Sequence, residues 1–121
     1  MIRVLVVDDE RAAVDGLRVL LRADGYEVVA LQSSEAALVL LTKEKFDIVI
    51  TDLEMPMVHG VEVVRAARKS RADMPVVVVT AYNDSPACTA AIAAGACKVM
   101  CKPIDYDALS AEIVVATTGR V

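Results

Sequence analysis

Several short apolar runs in this sequence end at side chains that could take part in metal or phosphate chemistry. Asp8 and Asp9 follow the first run, and Asp52 follows a run near the middle of the chain. Thr80 follows four consecutive valines, and Lys102 follows the last run. Each residue alone could be a turn or helix-cap residue. If the runs are strands of one parallel sheet, their carboxyl ends meet where such sheets bind ligands, so the joint pattern predicts one shared site.

The chemistry of that site follows from the residue types. Three carboxylates held close together repel one another, and a bound cation is an ordinary way to relieve the repulsion. Ligands that are all oxygen favour Mg²⁺ or the related Mn²⁺. An Asp carboxylate can also attack phosphorus to form an aspartyl phosphate, whose charge then needs positive or hydrogen-bonding partners. Lys102 and Thr80 can supply them together with the metal.

The elements that must position these residues are predicted by the apolar pattern. Runs of consecutive Val, Ile and Leu fit parallel strands that are covered by helices on both faces. Each run is followed by a segment with helical periodicity, which predicts an α/β fold: a single doubly wound, flavodoxin-like parallel sheet of five strands with five flanking helices. An assumed strand order of 2-1-3-4-5 makes the four strands that carry chemistry adjacent. The expected strands cover residues 4–7, 28–31, 48–50, 76–79 and 99–101.

The helix limits are predicted from capping residues and glycines. Gly25 and Gly95 are placed to end the first and fourth helices, while Ser33 or Ser34 can cap the second, which we expect to run to about Lys45. Asp84 or Ser85 with Pro86 indicates the start of the fourth helix. The remaining signals are apolar stripes, which predict helices over about 11–24 and from about residues 60 and 106.

Length and composition limit the function classes. The 121 residues are expected to form one domain, residues 1–121, and no apolar run approaches the roughly 18 residues of a membrane span. A net charge of −4 argues against direct binding to nucleic acid. The first residues lack the features of a secretory signal, so we expect a cytoplasmic protein without membrane association. Cys88, Cys97 and Cys101 match no metal-binding spacing and are expected to be reduced.

The sequence resembles the receiver domains of bacterial two-component response regulators. The resemblance rests on Val-Asp-Asp-Glu at residues 7–10, Thr-Asp-Leu-Glu-Met-Pro at 51–56 with Gly60 following, Thr-Ala at 80–81, Gly-Ala at 95–96 and Lys-Pro at 102–103. It covers essentially the whole chain, with the motifs in the family's order and spacing. Single motifs of this kind occur by chance, but the full set is specific.

The resemblance implies a role for each matching residue. Asp52 would accept a phosphoryl group from a histidine kinase or phosphotransfer protein, with Lys102 contacting the phosphoryl oxygens and the Thr80 hydroxyl swinging toward them. Asp9 and Asp52 would bind Mg²⁺ (or Mn²⁺), Asp8 would act largely through water, and the backbone carbonyl of Glu54 would complete the metal ligands. The Lys102–Pro103 peptide is expected to be cis.

Val99 departs from the family pattern, which has Tyr or Phe three residues before the lysine. A stiff β-branched side chain cannot reproduce the motion of that ring, so the family's usual output step is in question here. In this family the residues two positions after the Asp and two after the Thr flank the route to the phosphoryl group; here they are Glu54 and Tyr82, and we expect Tyr82 to hinder the attacking water. Tyr82 as a substitute for the missing ring, or His59 as a second phosphate acceptor, is less favoured than an exposed loop residue.

Two other functions remain as alternatives. One is a degenerate receiver that acts only as a protein-interaction module, which Val99 keeps open. The other is an aspartyl-phosphate phosphohydrolase of the haloacid dehalogenase type, although Glu54 stands where that family has an Asp and no cap insertion is present. We expect a switch and not an enzyme, whose output domain or partner protein is outside this chain and which can form a homodimer through the face of helix 4, strand 5 and helix 5.

Overall fold

The fold is an alternation of five strands and five helices in a computed structural model that describes residues 1–55 and 59–118. The strands are β1 (Arg3–Val7), β2 (Glu27–Leu31), β3 (Ile48–Asp52), β4 (Val76–Thr80) and β5 (Lys98–Cys101). The helices are α1 (Arg11–Ala23), α2 (Ser34–Lys43), α3 (Gly60–Ser70), α4 (Pro86–Ala94) and α5 (Tyr106–Thr117). Among these helices, none is long and apolar enough to cross a membrane.

All neighbouring strands are parallel, in the order β2-β1-β3-β4-β5. This confirms the predicted fold class and the assumed strand order. Asp52, the last residue of β3, pairs with Val79 of β4. On the other edge of β4, Thr80 pairs with Cys101, the last residue of β5. Asp52 and Thr80 therefore belong to the strand ladders, two residues and one residue beyond the predicted strand ends, and the ladders fix the backbones of both residues.

The core lies in two layers, one on each face of the sheet. In β4, Val76 and Val78 pack toward α3 and α4, whereas Val77 and Val79 pack toward α5. All four are at least 98% buried. Successive residues of a strand point to opposite faces, so a strand covered on both faces must be apolar at every position. This is the physical reason for the consecutive valines in the sequence.

Most predicted helix limits are confirmed, with one correction. Gly25 and Gly95 have φ of +91° and +115°, the left-handed region that glycine adopts without strain. Ser33 caps α2 by accepting a hydrogen bond from the Ala36 amide. The expected end of α2 near Lys45 is wrong, because α2 ends at Lys43 and the next residue is already extended. That turn leads Phe46 into the core, where it is 1% exposed.

The three cysteines are free thiols, as expected, and they differ in solvent exposure. Cys88 is buried in α4, whereas Cys97 and Cys101 are exposed. Cys97 precedes β5, and Cys101 ends it. Val99, between them, is half-buried against the layer that contains α3 and α4.

Candidate functional site

The carboxylate of Asp52 is held by the loop that follows its own strand. Oδ1 of Asp52 accepts hydrogen bonds from the backbone amides of Leu53 at 2.8 Å and Glu54 at 3.3 Å. The backbone carbonyl of Asp52 accepts a hydrogen bond from the Thr51 hydroxyl. The side chain is only 6% exposed, so one face of the carboxylate is fixed and Oδ2 is left to point toward the other strand ends.

Gly60 allows this loop to close tightly. A Cβ atom at residue 60 would stand 2.0 Å from the carbonyl oxygen of Asp52 and 2.7 Å from the Cα of Leu53. The Gly60 amide also donates to the Leu53 carbonyl oxygen at 3.1 Å. The first turn of α3 thus lies directly against the backbone of Asp52, and only glycine fits at that contact.

Asp8, Asp9 and Asp52 come together at the carboxyl ends of β1 and β3. One carboxylate oxygen from each lies within 4.8 Å of the others. Asp8 is 3% exposed and its Oδ1 accepts a hydrogen bond from the Glu10 amide, while Asp9 is exposed. The sequence-predicted cluster therefore exists as a group of oxygen donors that could hold a metal ion.

Lys102 enters the cluster from the end of β5. Its Nζ donates to Oδ2 of Asp8 at 2.9 Å and to Oδ2 of Asp52 at 3.3 Å, with Glu10 at 3.5 Å. Burial acts to lower the pKa of Lys102, but the hydrogen bond to Asp8 and the charge of Asp52 outweigh it and raise that pKa. Because it contacts both carboxylates, the Lys102 ammonium group offsets part of the negative charge of the cluster. The peptide from Lys102 to Pro103 is cis, as the resemblance implies.

The charge of Asp52 remains costly despite this lysine. Burial, and after it the charge of Asp8, raise the pKa of Asp52 to about 6, against an ordinary value of 3.8. Lys102 acts in the opposite direction but does not cancel them. At neutral pH the group is ionised and poorly solvated, which suits a carboxylate that must attack an electrophile or bind a cation.

Thr80 has a partner that sequence reasoning missed. The Thr80 hydroxyl donates to the Glu54 carboxylate, with oxygen–oxygen distances of 2.6 and 2.8 Å. It also accepts a hydrogen bond from the Tyr82 amide at 3.0 Å. The sequence predicted a role for the Glu54 carbonyl and a position of Glu54 beside the site, but not this side-chain contact. The two residues are 26 positions apart, and no periodicity in the sequence relates them.

Two grooves flank the cluster. The α1 groove is largely apolar and runs between α1 and the start of α5. Its lining includes Ala13, Gly16, Leu20 and Ile104, together with Glu10 and Lys102. The α4 groove lies on the opposite side and is lined by Leu53, Glu54, Met55, His59, Tyr82, Ser85, Pro86 and Ala87. Lys102 thus belongs both to the α1 groove and to the candidate site, and Glu54, the partner of Thr80, lines the α4 groove.

The less favoured candidates lie at the margin of the site. Tyr82 is 62% exposed and lines the α4 groove, and His59 is exposed just before α3. Met55 is 3% exposed and packs in the core against β3 and its neighbours. Pro56, the last residue of the Thr-Asp-Leu-Glu-Met-Pro motif, and Met57 lie outside the described residues.

Comparison with known proteins identifies one family. The family model described as "Response regulator receiver domain" matches residues 4–114. Among curated proteins, the chain is 37% identical over 112 residues to the response regulator MprA of Mycolicibacterium vanbaalenii, covering 93% of this chain and 48% of that protein. It is 36% identical over 105 residues to the transcriptional regulatory protein GlrR of Escherichia coli, covering 87% of this chain and 24% of GlrR. The chain thus spans half or less of these relatives.

Solved structures agree with the sequence comparison. The receiver domain protein of Clostridium thermocellum is 32% identical, with a TM-score of 0.89 and coverage of 97% of this chain and 94% of the other. The response regulator TrrA of Thermotoga maritima, solved in complex with Mg²⁺ and BeF, is 31% identical, with a TM-score of 0.82 and coverage of 96% and 99%. The agreement extends over nearly the whole of each chain.

Proposed function

Since the chain belongs to the response regulator receiver domain family, we propose that it is the phosphoacceptor of a two-component system and that the acceptor is Asp52. The observation that carries the proposal is the setting of Asp52, a buried carboxylate with Lys102 3.3 Å from its Oδ2 and Asp8 beside it. Phosphorylation would switch the conformation and output of the protein. In this role the chain is a switch with a single labelling event, and not an enzyme with turnover.

The donor set fits Mg²⁺ or Mn²⁺, because the cluster offers only oxygen ligands, has an exposed member and lies at a buried anionic nucleophile. We propose Asp8, Asp9, Asp52 and the backbone carbonyl of Glu54 as the residues that hold the ion, with Asp8 acting largely through water. When bound, the ion supplies positive charge to phosphoryl oxygens. BeF with Mg²⁺ on the similar TrrA supports the same chemistry here.

In the proposed transfer, Oδ2 of Asp52 attacks phosphorus. A phosphorus–oxygen bond forms as the bond from phosphorus to the donor's histidine nitrogen breaks, and that nitrogen keeps the electron pair. Lys102 then turns from Asp52 toward the phosphoryl oxygens, since it already lies at the attacking atom. Thr80, at the end of the adjacent strand, donates its hydroxyl to a second phosphoryl oxygen.

The proposed donor is a histidine kinase or phosphotransfer protein, and we propose the α1 groove as its docking surface. A protein donor must place a histidine at Asp52, and the lining of this apolar groove includes Lys102, whose Nζ lies 3.3 Å from Oδ2 of Asp52. We propose that an output domain or partner protein outside these 121 residues carries the output, because they span only a fraction of relatives named as regulators. The acidic chain itself is not proposed to bind nucleic acid or a membrane.

The test of this proposal is chemical labelling. The protein is incubated with acetyl phosphate and Mg²⁺, and intact mass is measured with and without EDTA. We expect the mass gain of one phosphoryl group, absent in Asp52→Asn and with EDTA. A protein that is never labelled would favour the interaction module that Val99 keeps open, and repeated release of phosphate from small phosphoesters would favour the phosphohydrolase.

Two further expectations stay predictions. A homodimer through the face formed by α4, β5 and α5 would appear as a doubling of sedimenting mass after labelling. Cytoplasmic localisation would appear in fractionation of the source cells.

A further inference from the structure

The Thr80 hydroxyl is fully engaged in this structure. Its side chain is completely buried, its oxygen accepts the Tyr82 amide at 3.0 Å, and its proton goes to the Glu54 carboxylate at 2.6 and 2.8 Å. The 2.6 Å distance is typical of a hydrogen bond from a hydroxyl to a carboxylate, and such bonds are stronger than neutral ones. Glu54 therefore holds the one hydrogen that Thr80 can donate.

A phosphoryl group on Asp52 would compete for the same hydrogen. A hydroxyl has one proton, so it cannot donate fully to the Glu54 carboxylate and to a phosphoryl oxygen at once. We propose that the Glu54 side chain is a latch on Thr80: its carboxylate occupies the hydroxyl that the phosphorylated state requires, and it must leave before that state forms. This inference rests on the proposed phosphorylation of Asp52.

The charges and the exposure around Glu54 provide a way for the latch to open. The backbone amide of Glu54 is bound to Oδ1 of Asp52 at 3.3 Å, so a dianionic phosphoryl group on Asp52 would lie near the Glu54 carboxylate. Two like charges held at such a site repel each other strongly. Glu54 is an exposed residue that already lines the α4 groove, so its side chain can turn into that groove while its backbone stays in place.

A simpler reading is that Glu54 only repels the anionic phosphodonor by its charge. The two readings differ in what they require of the side chain. Repulsion needs the charge alone, whereas a latch needs both the carboxylate and the length to reach Thr80. Glu54→Asp separates them, because it keeps the charge and shortens the side chain by one carbon–carbon bond of about 1.5 Å.

The experiment measures the initial rate of labelling of Asp52 by acetyl phosphate with Mg²⁺ in wild type, Glu54→Ala and Glu54→Asp. Under the latch, both variants label faster by about three- to tenfold, the effect of one lost charge-assisted hydrogen bond that water partly replaces. Wild-type rates in Glu54→Asp with a faster Glu54→Ala would overturn the latch in favour of charge repulsion. Equal rates in all three proteins would overturn it outright.

A double-mutant cycle with Thr80 provides an independent readout. The latch predicts that Glu54→Ala accelerates labelling in the wild-type and Thr80→Ser backgrounds, which both have a hydroxyl, but not in Thr80→Ala. Effects that are equal in all three backgrounds would overturn it. Thr80→Ser also protects the test against a Thr80→Ala protein that fails to fold.

The failure of the latch and the failure of the proposed function look different. Labelling of Asp52 at equal rates in wild type and the Glu54 variants removes the latch and leaves the phosphoacceptor. An absence of labelling in every variant, with a folded protein by circular dichroism, removes the phosphoacceptor and the latch with it.

Binding of beryllofluoride with Mg²⁺, followed through threonine methyl resonances, should likewise be about three- to tenfold tighter in Glu54→Ala.

Discussion

The backbone carbonyl oxygen of Asp52 lies against Gly60 so closely that a Cβ atom on residue 60 would stand 2.0 Å from it. Neither atom belongs to a flexible side chain, so a larger residue must displace the loop that carries the Asp52 carboxylate. The tight turn into α3 and the position of the proposed acceptor, Asp52, are thus a single structural requirement.

Gly60→Ala should therefore impair both folding and labelling. Overpacking against backbone costs about 1–3 kcal/mol and in rigid places more, so we expect the free energy of unfolding in urea to fall by at least this amount. Labelling of Asp52 should slow in the fraction that remains folded. Gly16→Ala is the matched control, because a Cβ there meets nothing within 4 Å. A Gly60→Ala protein as stable as wild type would contradict the prediction.

Asp52→Asn should stabilise the metal-free protein at neutral pH. Burial and the charge of Asp8 raise the pKa of Asp52 to about 6 in the folded state, above its ordinary value of 3.8. The folded state therefore binds the proton more tightly, and the stability that this group contributes is full at low pH and is lost as the pH rises through 6. Asparagine cannot ionise and avoids that loss.

Chemical unfolding in EDTA across the pH range checks this. The variant should exceed wild type by about 1–2 kcal/mol at neutral pH, and the difference should shrink toward zero below pH of about 4. Asp84→Asn, an exposed loop residue, controls for the substitution itself. A difference that does not change with pH would show that the ionisation of Asp52 is not its source.

Gly16→Leu should separate the protein donor from the small one. Gly16 forms part of the α1 groove, and open space lies where its Cβ would be, so a leucine side chain fills the groove without disturbing α1. We expect transfer from a phosphohistidine protein to fall about tenfold, the effect of losing a packed contact, while labelling by acetyl phosphate is unchanged. Gel-based phosphotransfer assays measure both rates.

Ala36→Leu is the control for that substitution, since Ala36 is exposed on α2, away from the groove. If both donors slow in Gly16→Leu, the change has reached Asp52 and not the donor alone. If neither slows, the donor docks elsewhere on the molecule.

Tyr82→Ala should shorten the lifetime of the phosphorylated state. The side chain of Tyr82 is 62% exposed in the α4 groove, where Glu54 also lies, and we expect it to hinder water on its way to phosphorus. Removal of the ring should raise the rate of dephosphorylation about two- to tenfold, a change of about 0.4–1.4 kcal/mol in the barrier. Loss of the phosphoryl mass with time, after the donor is removed, measures it; unchanged or slower decay would contradict the role.

The sequence predicts the sheet well because burial on both faces leaves a direct mark on it. Residues such as Val77 and Val78 face opposite layers and are both buried, and the glycines at 25 and 95 have the left-handed backbone that their positions suggest. The placement of Asp8, Asp9 and Asp52 in one cluster was predictable for the same reason, since strand ends share an edge.

Side-chain contacts between distant elements leave no such mark. The bond from Thr80 to Glu54 depends on a rotamer at the end of an exposed side chain, and the 2.7 Å hydrogen bond from the Tyr106 hydroxyl to Asp24 joins α5 to the end of α1 across 82 residues. Neither residue pair has a periodicity or a motif. Gly60 is visible in the sequence as part of a motif, but the reason that residue 60 must be glycine is its contact with the carbonyl oxygen of Asp52, which only the structure shows.

The hydrogen bond from the Tyr82 amide to the Thr80 hydroxyl oxygen has a mechanical consequence. Any rotation that turns this hydroxyl toward the phosphoryl group removes the acceptor of that amide, and a backbone amide left without a partner is unfavourable. The segment that leads into α4 must then shift to find a new one. If Asp52 is phosphorylated as proposed, movement at this site would be carried into the main chain through residue 82, along a route that does not need an aromatic ring at position 99.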